Sequence, residues 1–551
     1  MRGYVSVSGR LVQYRRIGQG PPLVLLHGSP QSGAALQPLA AALAHRFTCY
    51  SLDTPGNGLS EPLALPAPSS ADYAAALAQA LDALGLGRIL LYGFHTGAGT
   101  ALEFLRRFPG RCAGLVCDGY AVWTEAERAE MLARYLPPLA PPSWDGSHLA
   151  FLWARIEEQR LFFPWYASDA AHRMSRDLPS VEALQAYVLD LLRAGDAYRA
   201  PYAAAFQRRG ETGFADVRDP VLILAQAQDP LAAHLARLPQ ELPAQVKLEP
   251  ALSDRAAMLA RAEAFLVECA PGLDLPATAV PDWATRSGLA YGFVTTEAGL
   301  LQAYVRRSGP GRPVLLLHDA GGSARLFAPT LAHLQGPAVA LDFPGHGESD
   351  GETAPNIEAL ADAAAACLRE LGLENPAAIG FHLGGQIALA LRARGVAGKA
   401  ALIGAPVFEP QEQAERLQRY APSISPCWDG AHLLSAWRML RRQALFHPWY
   451  DARAASAITA ESQLAPDRLQ RRFTDLMLAG ENYRNAYQAQ HEADTAALLG
   501  AAGGARLFLA PFDPLSAEPY AARALAHGEV QAQPIEADPA RWAGPFGAFA
   551  G

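Results

Sequence analysis

The chain repeats itself, and no other feature constrains its fold as strongly. Trp144-Asp145-Gly146-Ser147-His148-Leu149 returns as Trp428-Asp429-Gly430-Ala431-His432-Leu433. Leu161-Phe162-Phe163-Pro164-Trp165-Tyr166 returns as Leu445-Phe446-His447-Pro448-Trp449-Tyr450, and Ala194-Gly195-Asp196-Ala197-Tyr198-Arg199 as Ala479-Gly480-Glu481-Asn482-Tyr483-Arg484. The offsets are 284, 284 and 285. Shared composition does not produce a near-constant offset over three blocks; a domain fused to a copy of itself does. A length of 551 residues suits two cores better than one. The stretch PGLDLPATAVPDW, residues 271–283, carries three prolines and few periodic apolar positions, which reads as a stiff connector. The domains are therefore expected at 1–270 and 284–551.

Within each copy, short apolar runs alternate with Ala/Leu-rich stretches of helical period. The runs are Pro22–His27, Phe47–Asp53, Arg88–Gly93, Ala113–Asp118 and Val221–Ala225, then Pro313–His318, Ala338–Asp342, Ala377–Gly380, Ala400–Ile403 and Arg506–Ala510. Runs of this length, apolar at successive positions, predict strands of a mostly parallel sheet covered on both faces, the α/β doubly wound class. Between the last two runs of each copy lies a longer helical insert, about 119–216 and 405–503, which holds most of the tryptophans. Half of the residues are hydrophobic and 18% are charged, so large cores are available and a disordered chain is excluded. The net charge of −8 argues against neutralising a phosphate backbone, so no nucleic-acid partner is expected. No run of about 18 apolar residues and no secretory leader is apparent, which points to a cytoplasmic protein without a membrane partner. The six cysteines lack paired spacing and read as free thiols.

The chemistry concentrates at two turns, Gly93-Phe94-His95-Thr96-Gly97 and Gly380-Phe381-His382-Leu383-Gly384, each after a predicted strand and before a helix. They resemble the G-x-S-x-G nucleophile elbow of the α/β-hydrolase superfamily. His27-Gly28-Ser29-Pro30 resembles that family's oxyanion segment. Asp53-Thr54-Pro55-Gly56-Asn57-Gly58-Leu59-Ser60 and Asp342-Phe343-Pro344-Gly345-His346-Gly347-Glu348-Ser349 resemble its D-x-P-G-x-G-x-S turn. The resemblance covers both halves and implies two tandem α/β-hydrolase domains, the inserts lying where the family carries its lid. It further implies Asp229 and Asp513, each before Pro-Leu, as the acids. Two departures matter. The elbow residue is histidine in both copies, and the loops Pro250–Asp254 and Pro534–Asp538, where the family keeps its catalytic histidine, contain none. A serine relay therefore does not carry over.

The expected site is correspondingly unusual. His95 and His382 serve as base or nucleophile, each oriented by its acid, on a small lipophilic ester, thioester or related carbonyl compound. The amides of Thr96 and of the Ser29 region form an oxyanion hole. His148 and His432 hang over the elbows as proton shuttles, or else belong to helix starts capped by the preceding aspartates. Trp153, Trp165, Tyr166, Trp437, Trp449 and Tyr450 fill the insert's core, or some of them line an apolar pocket. Tyr198-Arg199 and Tyr483-Arg484 clamp a carboxylate, or are simply exposed. Asp118, at a strand end, marks domain one as the more complete site, against Ala405-Pro406 in domain two. His346 and His447, confined to domain two, read as local packing or surface residues. His95, His148 and Asp229 make up a conceivable metal set that nothing in their spacing demands, and no phosphate loop or dinucleotide fingerprint occurs, so no metal or cofactor is expected. Two other outcomes fit the missing serine: a ligand-binding pseudoenzyme whose histidine plugs the pocket, and a non-hydrolytic lyase or cyclase. Duplication also permits the halves to pair within one chain.

Overall fold

A computed structural model describes residues 1–249, 251–277, 288–458, 463–527 and 529–551. By its contacts the chain divides into two units, Met1–Pro141 with Phe151–Val280, and Pro142–Ala150 with Pro281–Gly551. Of the connector expected at 271–283, the part 278–283 lies outside the described residues.

The first unit contains β1 (Arg2–Val7), β2 (Arg10–Ile17), β3 (Pro22–Leu26), β4 (Thr48–Leu52), β5 (Ile89–Phe94), β6 (Cys112–Asp118), β7 (Val221–Leu224) and β8 (Val246–Leu248). They form one sheet in the order β1-β2-β4-β3-β5-β6-β7-β8. From β4 to β8 every pairing is parallel; β1 and β2 form an antiparallel hairpin on the edge beside β4. The five runs read from the sequence are β3 to β7. The edge strands went unread because their side chains are only partly buried, so their apolar runs are broken.

β3 and β4 are buried at every position, because the pleat sends alternate side chains into two separate cores. Val24 and Leu26 of β3, with Ile89 and Leu91 of β5, meet the helices Ser70–Ala83 and Thr96–Arg107 on one face. Leu23, Leu25, Leu90 and Tyr92 meet Gln37–Leu43 and Arg255–Cys269 on the other. A run apolar at every residue is thus what a doubly covered strand requires.

The second unit repeats the plan with β9 (Ala290–Thr296), β10 (Gly299–Arg306), β11 (Val314–Leu317), β12 (Ala338–Leu341), β13 (Ala377–Phe381), β14 (Lys399–Ile403), β15 (Ala505–Leu509) and β16 (Val530–Pro534). Their order is β16-β15-β14-β13-β11-β12-β10-β9. In each copy helices are inserted after the fourth parallel strand in chain order: Glu125–Arg134, Ser147–Leu161, Val181–Ala194 and Arg199–Gln207 between β6 and β7, and, among the described residues, five from Pro410–Arg419 to Thr495–Ala502 between β14 and β15. No helix among the described residues is long and apolar enough to cross a membrane.

Leu91, fully buried at the centre of β5, tests this arrangement. Leu91→Ala is expected to cost about 2–5 kcal/mol, read as a lowered urea midpoint of the full chain.

Candidate active site

In each unit a single residue makes the passage from the central strand into a helix. β5 ends at Phe94 and the next helix is Thr96–Arg107, leaving His95 between them at φ 49°, ψ −109°. β13 ends at Phe381 and the next helix is Leu383–Ala393, leaving His382 at φ 43°, ψ −102°. Four non-glycine residues among those described have positive φ, and these are two of them. Such a conformation is strained and persists only where its surroundings impose it. At this turn they do: a Cβ on Gly93 would sit 2.6 Å from the amide nitrogen of Ala98, so only glycine lets strand and helix approach this closely.

The imidazoles have defined partners. His95 Nε2 lies 2.7 Å from Asp229 Oδ2, and His382 Nε2 lies 2.8 Å from Asp513 Oδ1. Both acids follow the next inserted-domain strand, β7 or β15. Asp229 Oδ1 also accepts from the Leu231 amide at 2.8 Å, and Asp513 Oδ2 accepts from the Ser516 hydroxyl at 2.7 Å. Room for each ring comes from a glycine of positive φ after β6 or β14. A Cβ on Gly119 would lie 2.7 Å from His95 Nε2, and one on Gly404 3.0 Å from His382 Nε2. Burial raises the Asp229 carboxyl, but the charge and hydrogen bond of His95, with the Leu231 amide, outweigh it and hold it below its ordinary value. An ionised Asp229 keeps the proton of His95 on Nε2. Nδ1 is the other ring nitrogen, and it has no hydrogen-bond partner among the described residues. The Phe94 ring stacks on the imidazole at 3.9 Å between centroids.

Beside His95 lies a cavity of about 50 Å³, lined by Thr96 and Ser29 and walled by Trp123, Phe163, Tyr202 and Phe206. Thr96 opens its helix, so its amide has no intrahelical acceptor and lies at the positive end of the helix dipole. The Ser29 amide is not open: it donates to Thr96 Oγ1 at 2.8 Å, which corrects the expectation of an oxyanion donor there.

The model of the alpha/beta hydrolase fold matches residues 21–251, and that of the alpha/beta hydrolase family matches residues 314–538. Together they span most of the chain. The chain belongs to the α/β hydrolases. It carries the domain twice in tandem. Among curated relatives, a 2-(acetamidomethylene)succinate hydrolase of Mesorhizobium japonicum is 28% identical over 128 residues, 23% of this chain and 46% of that protein. Haloalkane dehalogenase 2 of Mycobacterium bovis is 29% identical over 251 residues, 46% of this chain and 75% of that one. The alignment thus spans less than half the length of the first of these relatives. Among solved structures, epoxide hydrolase A of Mycobacterium thermoresistibile is 20% identical with a TM-score of 0.39, covering 50% of this chain and 99% of its own.

The remaining residues singled out in this α/β hydrolase take other places. His148 belongs by its contacts to the second unit. Its Nδ1 accepts from the Ser143 amide at 3.1 Å and its Nε2 lies 2.8 Å from Gln470 Oε1. His432 Nδ1 likewise accepts from the Cys427 amide at 3.3 Å. Asp145 and Asp429 accept from the amides two residues on, at 3.1 Å each, closing the same turn. Trp153 is buried, and Trp165 Nε1 donates to the Tyr135 carbonyl. Tyr198 and Arg199 donate to the carbonyls of Pro137 and Leu136 at 2.6 and 3.0 Å, so they fasten a proline-rich loop and do not form a carboxylate clamp. Asp118 is buried and accepts from the Tyr92 hydroxyl at 2.6 Å, and burial raises its carboxyl to about 6. Its counterpart is Ile403, not Ala405: Asp118 lies opposite Phe94 and Ile403 opposite Phe381 in register. His27 and His318 staple the oxyanion segments by accepting from the Thr54 and Phe343 amides. The reading of the sequence missed the cavity wall of Trp123, Phe163, Tyr202 and Phe206, and Gly119. The one available signal was that Phe163 sits inside a repeated block.

Two outcomes test the pair. Gly119→Ala is expected to displace the His95 ring from Asp229, read as a changed His95 imidazole resonance in a folded protein. Because the Asp229 carboxyl is depressed on folding, the stability it contributes is present above pH about 4 and is lost as pH falls below that. Asp229→Asn should therefore flatten the acid limb of urea midpoint against pH between 3 and 5.

Proposed function

We propose that the first unit is a hydrolytic active site in which His95 acts as general base on water, attacking a small lipophilic ester or thioester. The observation that carries this reading is the 2.7 Å contact between His95 Nε2 and Asp229 Oδ2. It is the acid–imidazole half of a hydrolase relay, with the imidazole moved onto the elbow and its ring reversed. Nε2 faces the acid, so Nδ1 takes the proton from water as the oxygen adds to the carbonyl carbon. The developing oxyanion is met by the Thr96 amide at its helix start. Collapse of the tetrahedral adduct expels the alcohol or thiol, which recovers the proton from Nδ1, and the acid product leaves. Asp229 holds the tautomer and stabilises the imidazolium formed on the way. The hydrolase, dehalogenase and epoxide hydrolase names of the relatives agree with hydrolysis as the reaction class.

The cavity sets the scale of the substrate. About 50 Å³ falls well below the roughly 300–1,000 Å³ of a drug-sized ligand site, so the group beside His95 is a short acyl chain. Its aromatic wall favours an apolar one. The second unit repeats the pair through His382 and Asp513 and is proposed to act by the same means on a different substrate.

A p-nitrophenyl ester series of acetate, butyrate and octanoate tests this. Acetate and butyrate should be hydrolysed, with kcat/KM falling by about 100-fold or more in His95→Ala and persisting in His382→Ala. Unchanged hydrolysis in the double variant excludes histidine as base. Product formation from a carbonyl substrate without incorporation of solvent ¹⁸O excludes hydrolysis in favour of a lyase. Binding of these esters with no turnover by the wild type leaves a pseudoenzyme.

A further inference from the structure

The two units have diverged where one of them walls its cavity. Register across the duplication is set by matching hydrogen bonds: Trp165 Nε1 to the Tyr135 carbonyl at 3.1 Å and Trp449 Nε1 to Tyr420 at 2.9 Å, then Arg199 Nε to Leu136 at 3.0 Å and Arg484 Nε to Ala421 at 3.1 Å. In that register Met131, Phe163 and Phe206 correspond to Arg416, His447 and His491, while Trp123 and Tyr202 become the aromatic residues Phe408 and Tyr487. Phe163 and Phe206 line the cavity beside His95. Three apolar side chains of one unit have become three basic ones in the other.

Arg416 is 3% exposed. Its NH2 donates to His447 Nε2 at 2.9 Å and to the Tyr520 hydroxyl at 3.1 Å, and it lies over the Phe408 ring at 4.4 Å. Among the described residues no carboxylate forms an ion pair with it. A buried guanidinium without a counter-charge is costly. His491, 1% exposed, carries an Nε2 that has no hydrogen-bond partner. Arg416, Arg484 and His491 line a cavity of about 700 Å³ in the second unit, which Glu352, Glu481 and Glu492 also line; Glu481 is engaged by the Ile424 amide and Arg484, and Glu492 accepts from Gln488 Nε2. The charge of His382 reaches His447 and His491. Arg472 adds a second cation near Tyr420; of the acids whose charges reach the same ring, Asp513 is engaged by His382 and Asp319 is raised by burial.

We infer that the second unit carries a binding site for a small carboxylate, in which Arg416 receives the carboxylate between the rings of His447 and His491. Burial and then the Arg416 charge hold both imidazoles below their ordinary range, His491 at about 3, so the guanidinium is the cation of the cluster. His447 accepts from Arg416 and aims it; His491 Nε2 accepts from a hydroxyl or amide hydrogen adjoining the carboxylate. The inference concerns binding alone and stands whether or not His382 turns a substrate over.

Isothermal titration calorimetry of the full chain tests it, with benzoate and salicylate as probes and methyl benzoate as the neutral control. Benzoate is expected to bind at one site per chain, salicylate more tightly through its hydroxyl, and methyl benzoate about tenfold or more weaker. Arg416→Met, which restores the residue of the first unit, should weaken benzoate about tenfold or more; His491→Phe should remove the advantage of salicylate and leave benzoate. Equal affinity for benzoate and its ester, or no binding of either carboxylate, overturns the inference. So does a folded Arg416→Met that binds benzoate as the wild type does. The wild-type comparison of acid with ester decides the matter even if Arg416→Met does not fold. Failure of ester hydrolysis at His95 touches none of these readings.

Discussion

His95 and His382 stand at backbone angles that histidine rarely adopts, and the geometry around them follows from holding them there. A strand buried on both faces must turn at once into a helix, and a single residue at positive φ makes that turn. The same turn lifts the side chain off the sheet edge and sets it beside the start of a helix. Neighbours give way to it: Gly93 lets the helix close on the strand, and Gly119 and Gly404 leave the imidazoles room to reach Asp229 and Asp513. Once the ring is there, the acid holds one of its nitrogens by a hydrogen bond and fixes its orientation. Backbone strain, glycine and a carboxylate–imidazole contact thus act as one device, present in both units.

Around that common device the walls differ. An aromatic cavity of about 50 Å³ beside His95 contrasts with a charged one of about 700 Å³ in the second unit, lined by Arg416, Arg484 and His491 and by three glutamates. Duplication relaxes the demand on each copy. Changes at Met131, Phe163 and Phe206 alter what a cavity accepts without touching the turn or its acid, because those side chains come from the insert between β6 and β7 and not from the sheet. The buried histidines and arginine of the second unit lower its stability unless something meets them, whereas the corresponding apolar residues need nothing. That asymmetry is the physical reason to look for an anion in one unit alone.

Much of this was legible beforehand, and what was not failed for identifiable reasons. The central parallel strands are readable because double burial demands apolar residues at every position. β1, β2, β8 and their counterparts escaped because many of their side chains are only partly buried, which breaks the apolar run. The elbow histidines and the two acids were legible as positions in a motif. The closed Ser29 amide was not, since its acceptor, Thr96 Oγ1, lies 67 residues away in sequence. His148 and His432 misled for a related reason. A histidine in a repeated block looks functional, yet here each accepts a hydrogen bond from the amide five residues before it, which is a requirement of the turn.

By itself the sequence determined that there are two copies, that each is a doubly wound sheet, and that histidine occupies both elbows, because repeat, period and motif are written in local order. Only the tertiary structure decided that each ring meets its acid, that Tyr198 and Arg199 hold a loop, and that Arg416, His447 and His491 converge. Those pairings join residues tens to more than a hundred positions apart, and their distances exist only once the chain has closed on itself.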